Sequence, residues 1–248
     1  MKRGWFASIA AALGRCRKWL RRDFDYRAAY RRADLGRDYW SIVGPASREE
    51  FEQLGRGKRQ VLIDLGLTPS SRVLDIGCGT GQLTEALLDF LGPDGLYCGT
   101  DIAPEAVAFC RQRFARPNFR FVRSEMTRVP IERLEFDFVY FGSVFTHLYP
   151  GEVRDLLRDV KRLLAADGQV VGDVFVSAGP DGFAGNRGMM VFDRTHVLET
   201  FRDTGLDFDP LRSWEWQPGV ERVIYRFTHP VPCCGIPLTP RLPWVTSP

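Results

Sequence analysis

From Arg72 onward the chain alternates short apolar runs with stretches whose apolar residues return every three or four positions. Val73-Leu74-Asp75-Ile76, Leu96 to Thr100, Phe119 to Val122, Phe136 to Phe141 and Gln169 to Val176 have the length and near-continuous hydrophobicity of strands covered on both faces. Between them, Gln82 to Leu91, Pro104 to Phe114 and Glu152 to Leu164 read as helices, the last with Val153, Leu156, Leu157, Val160 and Leu164 on one face. Such alternation specifies a doubly wound, mostly parallel α/β sheet with helices on both sides. After a glycine-rich loop from Gly179 to Gly188, a helix near Arg194 to Thr204 precedes two β-like segments, Leu211 to Trp216 and Arg222 to Thr228. Pro218-Gly219 lies between them, so an antiparallel terminal hairpin is expected to close a sheet of about seven strands.

Upstream, Trp5, Ile9, Leu13, Cys16 and Leu20 recur at helical spacing opposite Arg15, Lys18 and Arg22, the pattern of a basic amphipathic helix. It suits peripheral contact with an anionic membrane face, or equally a helix packed on the domain or a partner, or a solvated basic arm. Ser47 followed by Glu50, with Phe51, Leu54, Leu62 and Leu65 before Gly66, marks a capped helix leading into the core. Six prolines among the last nineteen residues argue for an extended tail. The expected organisation is a helical segment over 1–40, one domain over 41–230 and a tail over 231–248.

The 248 residues, 44% of them hydrophobic, are enough for one domain with a sizeable core, and no apolar run reaches the roughly 18 residues needed to span a bilayer. Residues 1–40 carry eleven Lys or Arg against four Asp, so the net charge of +3 divides into +7 there and −4 in the remainder. An acidic remainder disfavours nucleic acid as a partner. The six cysteines show no metal or disulfide spacing, so reduced thiols, no metal and a cytoplasmic location are expected, with attachment to the inner membrane face as the alternative.

The most informative stretch is Asp75-Ile76-Gly77-Cys78-Gly79-Thr80-Gly81, where an apolar strand ends in glycines and a helical pattern begins. Glycines at the carboxyl end of a parallel strand let backbone N–H groups approach an anionic or polar ligand. A dinucleotide fingerprint would need a third glycine where Gln82 stands, which counts against hydride transfer. The stretch resembles the first motif of class I S-adenosylmethionine-dependent methyltransferases, and the resemblance runs over roughly residues 60 to 228. It implies a Rossmann-like fold, S-adenosyl-L-methionine as cofactor, and a cofactor site formed by Asp75, Gly77, Cys78, Gly79, Thr80 and Gly81. In the same family an acid ending the second strand holds the ribose hydroxyls, which is Asp101, and Ile102 then packs on adenine. Glu125 and Met126 fall at the adenine after the third strand, and Phe141 and Gly142 border the methionine end. Ser143-Val144-Phe145-Thr146-His147-Leu148 is similar to an SVFTHL-type segment of one methyltransferase subgroup.

Methyl transfer from a sulfonium needs mainly alignment and exclusion of water. His147 is the one histidine near the expected cleft, either as general base toward an acceptor hydroxyl or as a residue that orders its loop. Tyr39, Trp40 and Ser143 are acceptor-site candidates, the two aromatics equally readable as packing residues, and the 179–190 loop is a further candidate. The expected activity is methylation of an oxygen, or second a nitrogen, on a small molecule or glycan. A non-catalytic adenosylmethionine-binding partner subunit is the alternative.

Overall fold

The computed structural model describes residues 25–132, 134–184 and 188–231. The amphipathic helix expected over residues 5–20, the proline-rich tail, and Cys16, Cys233 and Cys234 lie outside them. Short polar residues start the first helices. Asp25 and Asp34 each accept a hydrogen bond from a backbone N–H two or three residues on, and α1 (Tyr26–Arg32) and α2 (Leu35–Ile42) follow. At α3 (Arg48–Asp64), Ser47 accepts from the Glu50 N–H while the Glu50 carboxylate reaches back to the Ala46 N–H, and the helix ends at Gly66 with φ of +100°.

The sheet is built from β1 (Arg72–Ile76), β2 (Leu96–Asp101), β3 (Phe119–Arg123), β4 (Phe136–Phe141) and β5 (Leu164–Ser177), in spatial order β3-β2-β1-β4-β5 and all parallel. Its order reverses between β1 and β4, and at such a switch point the loops at the carboxyl ends part to leave a crevice. α4 (Gln82–Leu87) and α5 (Pro104–Arg113) link β1 to β2 and β2 to β3, while α6 (Pro150–Lys161) links β4 to β5. Alternate strand residues face opposite layers: Val73 and Tyr97 pack with Leu62, Leu83 and Val107 beneath α3, α4 and α5, whereas Leu74 and Val139 pack with Leu156, Val160 and Phe201.

The far edge carries two further strand pairs. β9 (Val220–Thr228) runs antiparallel to β5 from Gln169 to Val176 and is flanked by β8 (Asp207–Gln217), giving the expected terminal hairpin. β7 (Met189–Asp193), which leads into α7 (Arg194–Arg202), pairs in parallel with Phe175 to Ser177 and carries β6 (Gly182–Ala184) on its other side. Because Phe175 and Val176 already meet β9 on one edge, β7 takes the edge that β4 leaves free beyond Gly172, which sets the β6–β7 hairpin over the end of β4.

Several boundaries differ from the sequence reading. Among the described residues the sheet has nine strands rather than about seven: β6 lies in the 179–188 stretch, where glycine and alanine lack the branched or aromatic signature of β structure, and β7 follows directly where the sequence reading placed only a loop and a helix. Leu164 opens β5, pairing with Phe136, instead of closing the preceding helix, which starts two residues early at Pro150 as proline favours. The helix from Gln82 stops at Leu87, and a turn carries the chain on to Gly92. Leu54 stays 47% exposed although its spacing placed it with the apolar face of α3.

Candidate functional site

β1 ends at Ile76 in three left-handed glycines within five residues: Gly77 at φ +69°, Gly79 at +57° and Gly81 at +86°. L side chains rarely adopt this conformation, and here space forbids them too. A Cβ on Gly77 would stand 2.6 Å from Val144, one on Gly79 2.7 Å from Val43, and one on Gly81 inside the Phe114 ring. The turn is fastened to the end of β2, since the Cys78 N–H donates to the Thr100 carbonyl at 2.9 Å and the Gly79 N–H to Asp101 Oδ2 at 3.0 Å. Asp101 Oδ1 accepts the Ala103 N–H at 2.8 Å. Each carboxylate oxygen keeps a second acceptor position, so two remain for a ligand. Burial pushes this carboxyl up to about 6, held back by the backbone N–H groups that it accepts.

Asp75 is placed differently. It is buried under the turn and takes a 2.7 Å hydrogen bond from the Tyr97 hydroxyl, which accepts one from Thr84 at the same distance. Burial raises its carboxyl to about 6 as well, with Tyr97 and then Lys58 pulling the other way. The carboxylate that pins the glycine turn is Asp101, whereas Asp75 serves the polar chain behind β1.

In front of the turn lies a cavity of about 480 Å³, inside the usual size range of small-molecule sites. Gly77, Gly79, Asp101, Ile102, Glu125, Met126, Gly142, Ser143 and His147 all line it. Asp75, Cys78, Thr80, Gly81 and Phe141 lie behind its surface: Cys78 and Phe141 in the core, Thr80 fully buried, Gly81 capping α4. Tyr39 and Trp40 do not reach the cavity either. Tyr39 is buried against Phe51 and Phe109, with its hydroxyl accepting from Arg113 at 2.9 Å, and Trp40 packs edge-on against it. The pre-core segment instead contributes Tyr26 and Tyr30 of α1, which no motif marked, and the 179–190 stretch contributes Phe183 and Gly188. The signal for the tyrosines was their four-residue spacing after Asp25, a helix start that the basic composition around it obscured.

The wall opposite the glycine turn is the segment after β4. Tyr26 and His147, which both line the cavity, join there, the Tyr26 oxygen 2.9 Å from His147 Nε2 and the rings edge-to-face at 4.7 Å. Gly142 closes on Lys58, whose Nζ lies 2.8 Å from where a Cβ would be, and burial pulls that ammonium below the usual lysine range. Among the described residues no group of three or more His, Cys, Asp or Glu side chains is placed to hold a metal ion, and no helix is long and apolar enough to cross a membrane.

These features define a Rossmann-like α/β domain with a ligand crevice at its switch point, and comparison with known proteins finds the following similarities. Residues 73–168 match the family described as a methyltransferase domain. The chain is 30% identical over 135 residues to a probable cobalt-precorrin-6B C(15)-methyltransferase (decarboxylating) of Thermoplasma acidophilum, covering 50% of this chain and 64% of that protein. It is 30% identical over 122 residues to demethylmenaquinone methyltransferase of Staphylococcus aureus, covering 49% and 50%. The chain thus spans between half and 64% of the length of these curated relatives. In fold it is similar to a TehB-like SAM-dependent methyltransferase from Corynebacterium glutamicum, with a TM-score of 0.52, 23% identity, and 74% of this chain and all of that one covered. The segment from β1 into β5 thus matches a methyltransferase domain, and the fold around it is similar to that of a SAM-dependent methyltransferase.

Proposed function

We propose that the protein transfers the methyl group of S-adenosylmethionine to an oxygen, or second a nitrogen, of a small molecule or glycan. One observation carries this reading: the glycine turn and Asp101 share a single cavity with Ser143, Tyr26 and Phe183, so a cofactor half and an acceptor half adjoin. The cofactor half fits the group. Three left-handed glycines keep the floor open to backbone depth, Asp101 offers two acceptor positions to a vicinal diol, and Ile102 and Met126 supply apolar flanks for a base. Bound there, the cofactor supplies an electrophilic methyl on a sulfonium. The protein's part is to hold the acceptor atom in line with it and to exclude water. Leu148, Leu156 and Phe183 make the acceptor half largely apolar, which favours a small hydroxylated molecule over an extended glycan and is in keeping with the similarity to demethylmenaquinone methyltransferase. The Ser143 to Leu148 segment is the mark by which the protein would fall in the SVFTHL-type subgroup. Calorimetry with S-adenosylhomocysteine and with NAD, followed by labelled-methyl transfer to a panel of hydroxylated metabolites, tests the reading. Binding of NAD without S-adenosylhomocysteine overturns it, and binding without turnover on any acceptor favours the partner-subunit alternative.

His147 is assigned to tying α1 to the loop after β4 rather than to proton abstraction, because its Nε2 is engaged by Tyr26. Tyr26→Phe should weaken S-adenosylhomocysteine binding about 2- to 12-fold, the worth of one ordinary hydrogen bond. His147→Ala should lower affinity and melting temperature together and leave the pH profile of turnover unchanged in shape. A general base would instead lose about 10²–10⁴-fold in turnover with affinity intact and show a limb near its unperturbed pKa of about 6.5. For the basic N-terminal segment the proposal is peripheral contact with an anionic membrane: deleting residues 1–22 should leave cofactor binding intact and abolish co-sedimentation with phosphatidylserine vesicles. Equal sedimentation of both forms removes that role.

A further inference from the structure

Among the described residues Ser143 is the one non-glycine residue with positive φ, at +59°. For an L residue this conformation carries a population penalty of about 5- to 30-fold, so something must hold it. The holding groups come from two other strands. Asp173 on β5, 4% exposed, accepts the Ser143 N–H at 2.7 Å through Oδ1. Its Oδ2 accepts from Nε of Arg222 on β9 at 2.9 Å and lies 2.8 Å from Nη2 of the same guanidinium, and that Nη2 donates to Ser143 Oγ at 2.8 Å. The guanidinium is itself flanked by the rings of Phe175 and Trp214, at 5.6 and 5.5 Å. The Thr146 hydroxyl fixes the Ser143 carbonyl at 2.7 Å.

The turn Gly142-Ser143-Val144 bounds the cavity as a unit. Val144 reaches across to the glycine turn, its Cγ2 2.6 Å from where a Gly77 Cβ would be, so the conformation of Ser143 sets the gap between the two turns. Resting on the proposed function, we propose that Asp173 and Arg222 are positioning residues. They hold Ser143 left-handed and thereby fix the width of the slot in which the methionine end of the cofactor meets the acceptor atom. Because Arg222 donates to Ser143 Oγ, the serine hydroxyl keeps its own proton to donate to a bound ligand. A buried ion pair is by itself weak evidence for stability, whereas this one makes two hydrogen bonds to a strained turn at the cavity wall, one from the Ser143 N–H to Asp173 and one from Arg222 to Ser143 Oγ.

The test is rescue by glycine, which adopts φ near +60° without a clamp. Asp173→Ala and Arg222→Met should each weaken S-adenosylhomocysteine binding about 5- to 30-fold, measured by calorimetry on the full chain. Adding Ser143→Gly to either should restore most of the loss, by more than Ser143→Gly changes the wild-type protein. A pair that only braces the core would lose melting temperature and affinity with no rescue, since glycine adds no contact, and that result overturns the proposal. If Asp173→Ala does not fold, Arg222→Met decides. If the wild-type protein binds no S-adenosylhomocysteine, the proposed function fails and the clamp is judged on melting temperature alone: recovery in the double variants supports it, and simple additivity overturns it.

Discussion

Replacing Gly79 by valine should weaken S-adenosylhomocysteine binding by about 30- to 5,000-fold. Two costs combine at this position. The backbone sits at φ +57°, where a β-branched residue is an outlier, and the left-handed conformation alone costs about 1–2 kcal/mol. The new Cβ would also stand 2.7 Å from Val43 Cγ1 and 3.0 Å from the Tyr30 hydroxyl, and overpacking adds about 1–3 kcal/mol. Either α1 and the segment after α2 move outward or the turn leaves the left-handed region, and both outcomes pull the Gly79 N–H from Asp101. Calorimetry on a variant whose melting temperature shows it folded is the measurement. Affinity within threefold of wild type would show that the turn does not form the cofactor floor.

The glycine turn was legible because its requirement is local: only glycine takes three left-handed positions in five residues, and a strand before and a helix after fix their place. Asp101 was legible for the same reason, as an acid at the end of the next parallel strand, whose register brings Gly99 beside Asp75. The cavity's other contributors were not. Tyr26 and Tyr30 come from a helix far upstream, and nothing in their spacing says that they face Gly79 rather than solvent. Tyr39 and Trp40 have the bulk that suggests a lid, yet Phe51, Phe109 and Arg113 claim Tyr39 for packing. The Ser143 clamp was hidden more deeply, since Asp173 and Arg222 meet only through the antiparallel register of β5 and β9. Apolar period predicts that those strands pair, and register decides which charged residues then share a turn.

Asp101 should make cofactor binding depend on pH in a direction opposite to its effect on fold stability. Burial raises its carboxyl to about 6, above the ordinary value of about 3.9, so the ionised form is disfavoured in the ligand-free fold. Its contribution to stability is therefore fully present below about pH 3.9 and is lost as pH rises through about 6. Asp75, also raised to about 6, acts in the same sense. Ribose hydroxyls donate to the carboxylate and favour the ionised form, so S-adenosylhomocysteine affinity should be flat above about pH 6 and fall by up to about tenfold per unit below it. Asp101→Ala should cost about 1.5–3 kcal/mol of binding, the range for hydrogen bonds to a charged group, and should release the Gly79 N–H as well. Asp101→Asn should flatten the pH dependence while still binding weakly, because one side-chain N–H₂ must then face the N–H of Gly79 or Ala103. Calorimetry from pH 5 to 8 on the three proteins reads both effects. Wild-type affinity that stays constant across that range, together with an unchanged affinity in Asp101→Ala, would remove Asp101 from the ribose site.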